Sequence, residues 1–353
     1  MRRAFFPYLQ FTPRNEIIHN KTKIAMTQNL SVGKDAAAVA LAKFCRDRDH
    51  VALVTDGEAY SLCGAEAFVD AVLEGLRTSA RSPRVARLAI LGANPRVEAV
   101  QNLLAQIDAP INAFVAIGGG TTIDTAKLLN LAVVSSTPIR ELLARKTAPE
   151  RLLPCLAIPT TAGTGAEATR FAVCYDGEVK HSIDFEAIRP SDVALVPEFT
   201  ATLPAYQRAS TNFDAYAQAV ESLWAKGATD ESRGYARRAL RLIDDGNWPE
   251  ASYWAGRAID ISRTTAAHAL SYYMTSHYGI PHGHAVYMMF EYVCRANGHP
   301  EYIKSVSGLK TLREFALGKG IAWNQIVGEL LANVNEKRLS NNPCPITRET
   351  FGG

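Results

Sequence analysis

Four of the eight histidines fall within the 17 residues from His268 to His284. His268 lies in the run Thr264-Thr265-Ala266-Ala267-His268-Ala269-Leu270-Ser271-Tyr272, which has helical spacing, and His282 follows in Ile280-Pro281-His282-Gly283-His284. Upstream, Asp214 and Gln218 are four residues apart in another helically periodic run, so they share a face. A hard carboxylate with two imidazoles suits Zn²⁺ or Fe²⁺ and leaves a coordination position open. Such an ion acts as a Lewis acid on a carbonyl oxygen. A lone histidine on an apolar helix is more often a packed structural residue, and spacing alone leaves that alternative open.

A second chemical signal is the run Ile117-Gly118-Gly119-Gly120-Thr121-Thr122-Ile123-Asp124-Thr125-Ala126-Lys127, which passes from a strand directly into a helix. Glycines let a ligand approach the backbone, and a helix N-terminus offers free N–H groups and positive partial charge to a pyrophosphate. The run is not GxGxxG, and it also fits a tight turn. Asp124 and Lys127 also fit an ordinary helix pair. Pro159-Thr160-Thr161-Ala162-Gly163-Thr164-Gly165 is a further small polar loop whose hydroxyls and amides can hold ribose or phosphate, or simply cap a helix. Asp56 closes a strand, where a carboxylate accepts from a ribose 2′-hydroxyl and repels a 2′-phosphate; a plain turn aspartate is the other reading.

The elements that must position these residues change character along the chain. Strands are expected at His50–Val54, Val85–Leu91, Asn112–Ile117 and Leu156–Ile158, alternating with helices at Ala65–Thr78, Val97–Ile107 and Thr122–Val134. This alternation predicts a parallel sheet covered by helices on both faces. Ligands on such sheets sit at the carboxyl ends of the strands, where Asp56, Asn94, Gly118 and Thr160 fall. A hairpin around Asp176-Gly177 and a strand at Asp192–Val196 follow. Beyond about residue 202 the spacing predicts only helices: Ala205–Ala225, Asp230–Asp244, Glu250–His277, His284–Ala296 and Asn324–Glu336. We therefore expect an α/β domain over 1–202 and an all-α domain over 203–353.

Composition narrows the classes further. With 353 residues, 47% hydrophobic and 21% charged, the chain is ordinary globular material. Lys+Arg at 38 against Asp+Glu at 35 gives a net charge of +3, which argues against nucleic acid as a partner. The six cysteines show no CxxC spacing and read as thiols of a reducing compartment. No run approaches the ~20 apolar residues that span a bilayer, and the start MRRAFFPYLQFTPRNE lacks a signal-length apolar core. The expectation is a cytoplasmic protein without a membrane partner.

Taken together, these motifs resemble the iron-dependent alcohol dehydrogenase superfamily, which also includes glycerol dehydrogenase and, more distantly, dehydroquinate synthase. GGGTTIDTAK at 118–127 is similar to that family's GGGSxxDxAK, and PTTAGTGAE at 159–167 to its PTTAGTGSE. TNFDAYAQAVE at 211–221 is similar to TGxDAxxHAxE, and HALSY at 268–272 with Pro281-His282-Gly283 to HAxxH followed by PHG. The resemblance implies an N-terminal dinucleotide-binding domain, a helical C-terminal domain, NAD(H) or NADP(H), a divalent Fe²⁺ or Zn²⁺, and a homodimer. It implies Asp214, Gln218, His268 and His282 as the metal positions. It places Asp56, Asn94, Gly119, Gly120, Thr121, Asp124, Thr160, Thr161, Thr164 and Lys180 at the cofactor, with Asp56 where NAD-preferring members carry an aspartate.

Two departures bear on chemistry: Gln218 stands where the family has a ligand histidine, and Tyr272 where it has the second histidine of HxxxH. The stretch SRTTAAHALSYYMTSHYGIPHGHAV resembles a narrower branch, the phosphonoacetaldehyde reductases. Thr264, four residues before His268, is expected on the same helix face, and Arg208, Arg263 and His284 are expected to add positive charge for a phosphonate. Tyr272 or His284, through water, is expected to return the proton. The expected activity is metal-dependent, NAD(P)H-linked reduction of a small aldehyde, with phosphonoacetaldehyde giving 2-hydroxyethylphosphonate. Alternatives are a dehydrogenase of another small alcohol or aldehyde, a dehydroquinate-synthase-like lyase with no net redox, and a non-catalytic homologue.

Overall fold

The structure is a computed structural model that describes residues 28–78, 82–144 and 147–352. The N-terminal run that was read for a signal segment lies outside the described residues. Among the described residues there are eight strands: β1 Asn29–Val32, β2 His50–Thr55, β3 Arg84–Ala89, β4 Ala113–Gly118, β5 Cys155–Pro159, β6 Phe171–Asp176, β7 Val179–Asp184 and β8 Asp192–Leu195. Six form one parallel sheet in the order β1-β8-β5-β4-β2-β3, and β6 pairs with β7 as an antiparallel hairpin. The apolar runs HVALVT, AFVAIG and CLAIP are buried at every position, as expected for central parallel strands with helices on both faces. From β2 the chain moves outward to β3, then returns to the other side of β2 as β4. The order of the sheet therefore reverses between β2 and β4, and a crevice opens at their carboxyl ends. Thr55-Asp56 and the triglycine turn lie at that point.

Among the described residues after 203 every element is helical, beginning with helix Ala205–Trp224. These helices enclose a core that includes Phe213, Leu270, Met274, Met289 and Phe290. None of the described helices is long and apolar enough to cross a membrane. Two of the expected helices are broken. Glu250–His277 divides into Trp248–Ser262 and Ala266–Tyr278, with Arg263 at φ +63° between them. The Thr265 hydroxyl leaves the helical path to accept from Trp224 Nε1 at 3.2 Å and donate to Glu221 Oε1 at 2.6 Å. Asn324–Glu336 likewise divides into Trp323–Ala332 and a four-residue helix, Glu336–Leu339, capped by Asn335. Strand β1 and helix Lys34–Arg46 were not expected from the sequence; β1 is a short edge strand with only half-buried and exposed residues.

The sheet and the helices meet through side chains, with Leu30, Val193 and Leu195 packed with Tyr253, and at one point through backbone. A Cβ on Gly165 would lie 2.6 Å from Gly256 Cα, and one on Gly256 would lie 2.8 Å from Gly165 O and 2.9 Å from Ala168 Cβ. The loop after β5 is thereby pressed against helix Trp248–Ser262. Asp260 secures the same seam by accepting from the Arg170 amide at 2.8 Å and pairing with Arg189. We expect Gly256→Ala to cost about 1–3 kcal/mol through this overpacking, because the facing atoms are backbone and cannot swing aside. Thermal denaturation should show a lower Tm; an unchanged Tm would contradict the account of the seam.

Candidate functional site

A cavity of about 440 Å³ runs along the seam from the carboxyl ends of the strands into the helices. Its sheet end is lined by Asp56, Asn94, Gly119, Gly120, Thr121, Asp124, Thr161 and Thr164. Its helical end is lined by Asp214, Gln218, Thr264, His268, Tyr272 and His282, with Lys180 on the hairpin side.

At the sheet end, helix Gly120–Ser135 starts on the cavity wall, so its first amides lack helical partners there. The glycines let two loops close on each other: a Cβ on Gly120 would lie 2.8 Å from Thr164 Oγ1, and one on Gly119 would lie 3.3 Å from Thr161 Cγ2. Asn94, at φ +65°, donates its amide to Thr121 Oγ1 at 3.2 Å. Asp56 has a buried Oδ1 with no hydrogen-bond partner. Burial raises its pKa, while the Gly119 and Tyr60 amides and the Thr160 hydroxyl oppose that rise. An unpaired acceptor at this place fits a sugar hydroxyl. Thr160 is buried and does not line the cavity; its hydroxyl serves Asp56, and its amide donates to Gly118 O at 3.1 Å. Asp124 reaches the wall, but its carboxylate accepts from the Val173 amide at 3.0 Å and from buried Lys127 at 3.4 Å, which ties the hairpin to the helix. Lys127 also donates to Phe171 O at 2.6 Å.

At the helical end, the expected ligand positions converge. The ligand atoms of Asp214, His268 and His282 all lie within 4.8 Å of one another. His268 Nε2 is 3.1 Å and His282 Nε2 3.9 Å from Asp214 Oδ1. Burial lowers the pKa of His282 to about 4, against an opposing pull from Asp214, so its ring is neutral and free to donate a lone pair. One turn along from Asp214, Gln218 donates Nε2 to Thr164 O at 3.3 Å. That bond leaves its Oε1 buried with no partner. A buried carbonyl oxygen without a partner costs about 1–3 kcal/mol. A divalent cation held by one carboxylate, two imidazoles and this amide oxygen removes that cost, so the residues present fit such an ion.

A fifth residue governs the set, and sequence reasoning assigned it no role. Glu221 is fully buried and accepts from the Thr265 hydroxyl at 2.6 Å, the Ala267 amide at 2.8 Å and His268 Nδ1. Burial pushes its pKa up, but the His268 ring and these donors outweigh it and keep the carboxyl below its ordinary value. With Nδ1 engaged, His268 is turned so that Nε2 faces Asp214. The available signal was spacing: Glu221 ends the run TNFDAYAQAVE, two helical turns after Asp214.

The remaining expected residues divide. The Tyr272 ring stacks on His282 with centroids 5.7 Å apart and planes 5° from parallel, and burial raises its pKa, so the phenol stays protonated at neutral pH. Lys180 Nζ sits 3.7 Å from the Tyr272 ring centre. Lys180 is open to water in the cleft, yet the surrounding protein, then the charge of Arg338, lowers its pKa to about 7, with Asp124 and Asp214 opposing. Thr264 reaches the cavity from the helix break and not from a helix face, with Oγ1 buried and unpaired. Three residues are not brought to the cavity lining. His284 donates Nε2 to Lys310 O at 2.9 Å and accepts at Nδ1 from Tyr206 at 2.7 Å, so neither nitrogen is left to relay a proton. Arg208 is exposed and lies 3.5 Å from Ala201 O. Arg263 is spent on Asp184 at 2.6 Å and lies over Phe171.

Glu221→Gln should weaken metal retention about 10–100-fold, because one amide oxygen cannot accept from Thr265, Ala267 and His268 Nδ1 together, so His268 Nε2 is less firmly held as a lone-pair donor to the ion. Competition with a chelator, read as bound Zn²⁺ or Fe²⁺ per chain, measures this. Retention equal to the native protein would remove Glu221 from the site.

Comparison with known proteins gives the family. Residues 28–197 match the model for iron-containing alcohol dehydrogenases, and residues 246–336 match that for the C-terminal part of the Fe-containing alcohol dehydrogenase family. The chain is 35% identical to a phosphonoacetaldehyde reductase of Streptomyces viridochromogenes over 48% of its own length and 49% of that protein. It is 31% identical to an NAD-dependent methanol dehydrogenase of Bacillus methanolicus over 53% of each. The chain thus spans about half the length of these curated relatives. A sulfoacetaldehyde reductase from Bifidobacterium kashiwanohense, solved with NAD⁺, superposes with a TM-score of 0.75 at 25% identity, covering 92% of this chain and 95% of that one. The two family matches and the shared fold lead to one conclusion: this chain belongs to the iron-containing alcohol dehydrogenase family.

Proposed function

We propose that the protein reduces a small aldehyde to its alcohol with a nicotinamide cofactor, and that phosphonoacetaldehyde, giving 2-hydroxyethylphosphonate, is the preferred substrate. The observation that carries the reading is the unpaired Gln218 Oε1 beside Asp214, His268 and His282, in the same cavity as the open helix N-terminus at Gly120. When bound, the divalent ion supplies Lewis acidity toward the carbonyl and the reduced nicotinamide supplies the hydride. Asp214, Gln218, His268 and His282 hold the ion, and Glu221 orients His268 behind them. Gly120 and Thr121 receive the pyrophosphate on free amides beside Gly119, whose own amide is held by Asp56, and Asp56 receives a ribose hydroxyl. Tyr272 Oη, protonated at neutral pH and part of the wall beside His282, delivers the proton to the product oxygen with water as its source. The names of two relatives, a phosphonoacetaldehyde and a sulfoacetaldehyde reductase, support a short anionic aldehyde. The methanol dehydrogenase relative keeps a small neutral alcohol as the competing substrate.

The test is a steady-state assay with phosphonoacetaldehyde and propanal, each with NADH and NADPH, on protein loaded with Zn²⁺ or Fe²⁺. The expected result is oxidation of the cofactor with a higher kcat/KM for phosphonoacetaldehyde. Absence of turnover under every combination would overturn the reductase reading. In the same assay, Asp56→Ser should raise the NADPH-to-NADH ratio of kcat/KM, since it removes the carboxylate that repels a 2′-phosphate. An unchanged ratio would place the ribose elsewhere.

A further inference from the structure

Every arginine that the sequence offered as a phosphonate partner is exposed or already paired with a carboxylate. Arg208 is exposed, and Arg263 pairs with Asp184. Two cations line the cavity without such a partner: Lys180 and Arg338. Among the described residues, no carboxylate lies within ion-pair distance of either one. Among the described residues, the guanidinium of Arg338 makes one side-chain hydrogen bond, a long one from Nη2 to Ser182 Oγ at 3.4 Å.

Its placement follows from the second helix break. Asn335 accepts from the Arg338 amide at 3.0 Å and starts the helix Glu336–Leu339, which turns Arg338 to the cavity. There the guanidinium carbon is 5.4 Å from the centre of the Tyr272 ring, and Lys180 Nζ is 3.7 Å from the same point. That ring stacks on His282, so both cations stand one aromatic side chain away from the ligand cluster. The triglycine helix start, which serves a pyrophosphate, is at the other end of the cavity. Asp124 and Asp214 act on Lys180 from the walls, but Asp124 is engaged by Val173 and Lys127, and Asp214 faces the two histidines. A permanently charged planar fork with idle N–H groups is suited to two oxygens of a tetrahedral anion.

We propose that Arg338, assisted by Lys180, is the anion-recognising residue of this cleft and selects short aldehydes that carry a phosphonate or sulfonate over neutral aldehydes of similar length. This rests on the aldehyde-reductase reading for its substrate, although the subsite itself is a claim about binding. Arg338 discriminates substrates and takes no part in the hydride or proton step. It therefore acts mainly on KM for the anionic aldehyde, and the four-residue helix that carries it is a specificity element.

The test uses the full metal-loaded chain and the variants Arg338→Gln and Arg338→Lys. Arg338 has only its long bond to Ser182, so neither change strands a buried partner, and folding can be checked by circular dichroism. In Arg338→Gln, kcat/KM for phosphonoacetaldehyde should fall roughly 10–100-fold more than kcat/KM for propanal, with most of the loss in KM. Arg338→Lys should recover part of that loss. Calorimetric binding of 2-hydroxyethylphosphonate should weaken in parallel, without an equal rise in the Kd for NADH. An unchanged phosphonoacetaldehyde-to-propanal ratio would overturn the proposal. An equal rise in the NADH Kd would also overturn it, by assigning the arginine to cofactor phosphate. Should the native protein reduce neither aldehyde, the reductase reading fails and calorimetry still decides the subsite. Binding of 2-hydroxyethylphosphonate that depends on Arg338 sustains it, and binding indifferent to Arg338 ends it.

Discussion

A carboxylate with no exposure to water, Glu221, holds the functional half of this molecule in register. It belongs to helix Ala205–Trp224, yet its oxygens are taken by Thr265, Ala267 and His268 at the start of helix Ala266–Tyr278. A buried charge is tolerated only when it is well supplied with donors, and here one carboxylate is met by a hydroxyl, an amide and an imidazole. The negative charge also sits at a helix N-terminus, where the free amides and the helix dipole favour it. One residue thereby fixes the angle between two helices, stabilises the break at Arg263–Thr265 and sets which nitrogen of His268 faces Asp214.

The sheet contributes differently. It offers the cavity backbone groups and turns, because its strands are filled with Val, Ile, Leu and Ala that have no chemistry to give. The reversal of strand order between β2 and β4 places Thr55-Asp56 and Gly118-Gly119 together at the mouth of the crevice, where the Gly119 amide meets Asp56. The β6–β7 hairpin then brings Lys180 over from the side, anchored by Asp124 and buried Lys127. The two halves are joined by glycine against glycine at Gly165 and Gly256.

Much of this was legible from residue pattern. The fully buried runs around His50, Ala113 and Cys155 announce central strands, and the glycine and threonine turns that follow them announce the cofactor end. Asp214, His268 and His282 were legible as a cluster through the likeness of their motifs to the family's, because spacing alone left a packed structural histidine as an equal use. What escaped the pattern depends on partners distant in sequence. Arg263 looked available until Asp184, 79 residues away, was found to hold it. His284 looked like a relay until Tyr206 and Lys310 were seen to occupy both of its nitrogens. The helix breaks were hidden because Thr265 and Asn335 leave the helical path for side-chain bonds, and hydrophobic period does not register those. Edge strand β1 has too little buried surface to show an alternation at all.

The short helix Glu336–Leu339 stands apart from this buried framework. None of its residues is buried, and its contact with the cavity is made by one extended side chain. With the roles proposed above, such a molecule keeps its costly parts, the ion cage and the dinucleotide turn, insulated from the part that meets the variable end of a substrate. Lineages carrying such a scaffold can exchange one aldehyde for another by redrafting a few residues at its margin, with little penalty to folding.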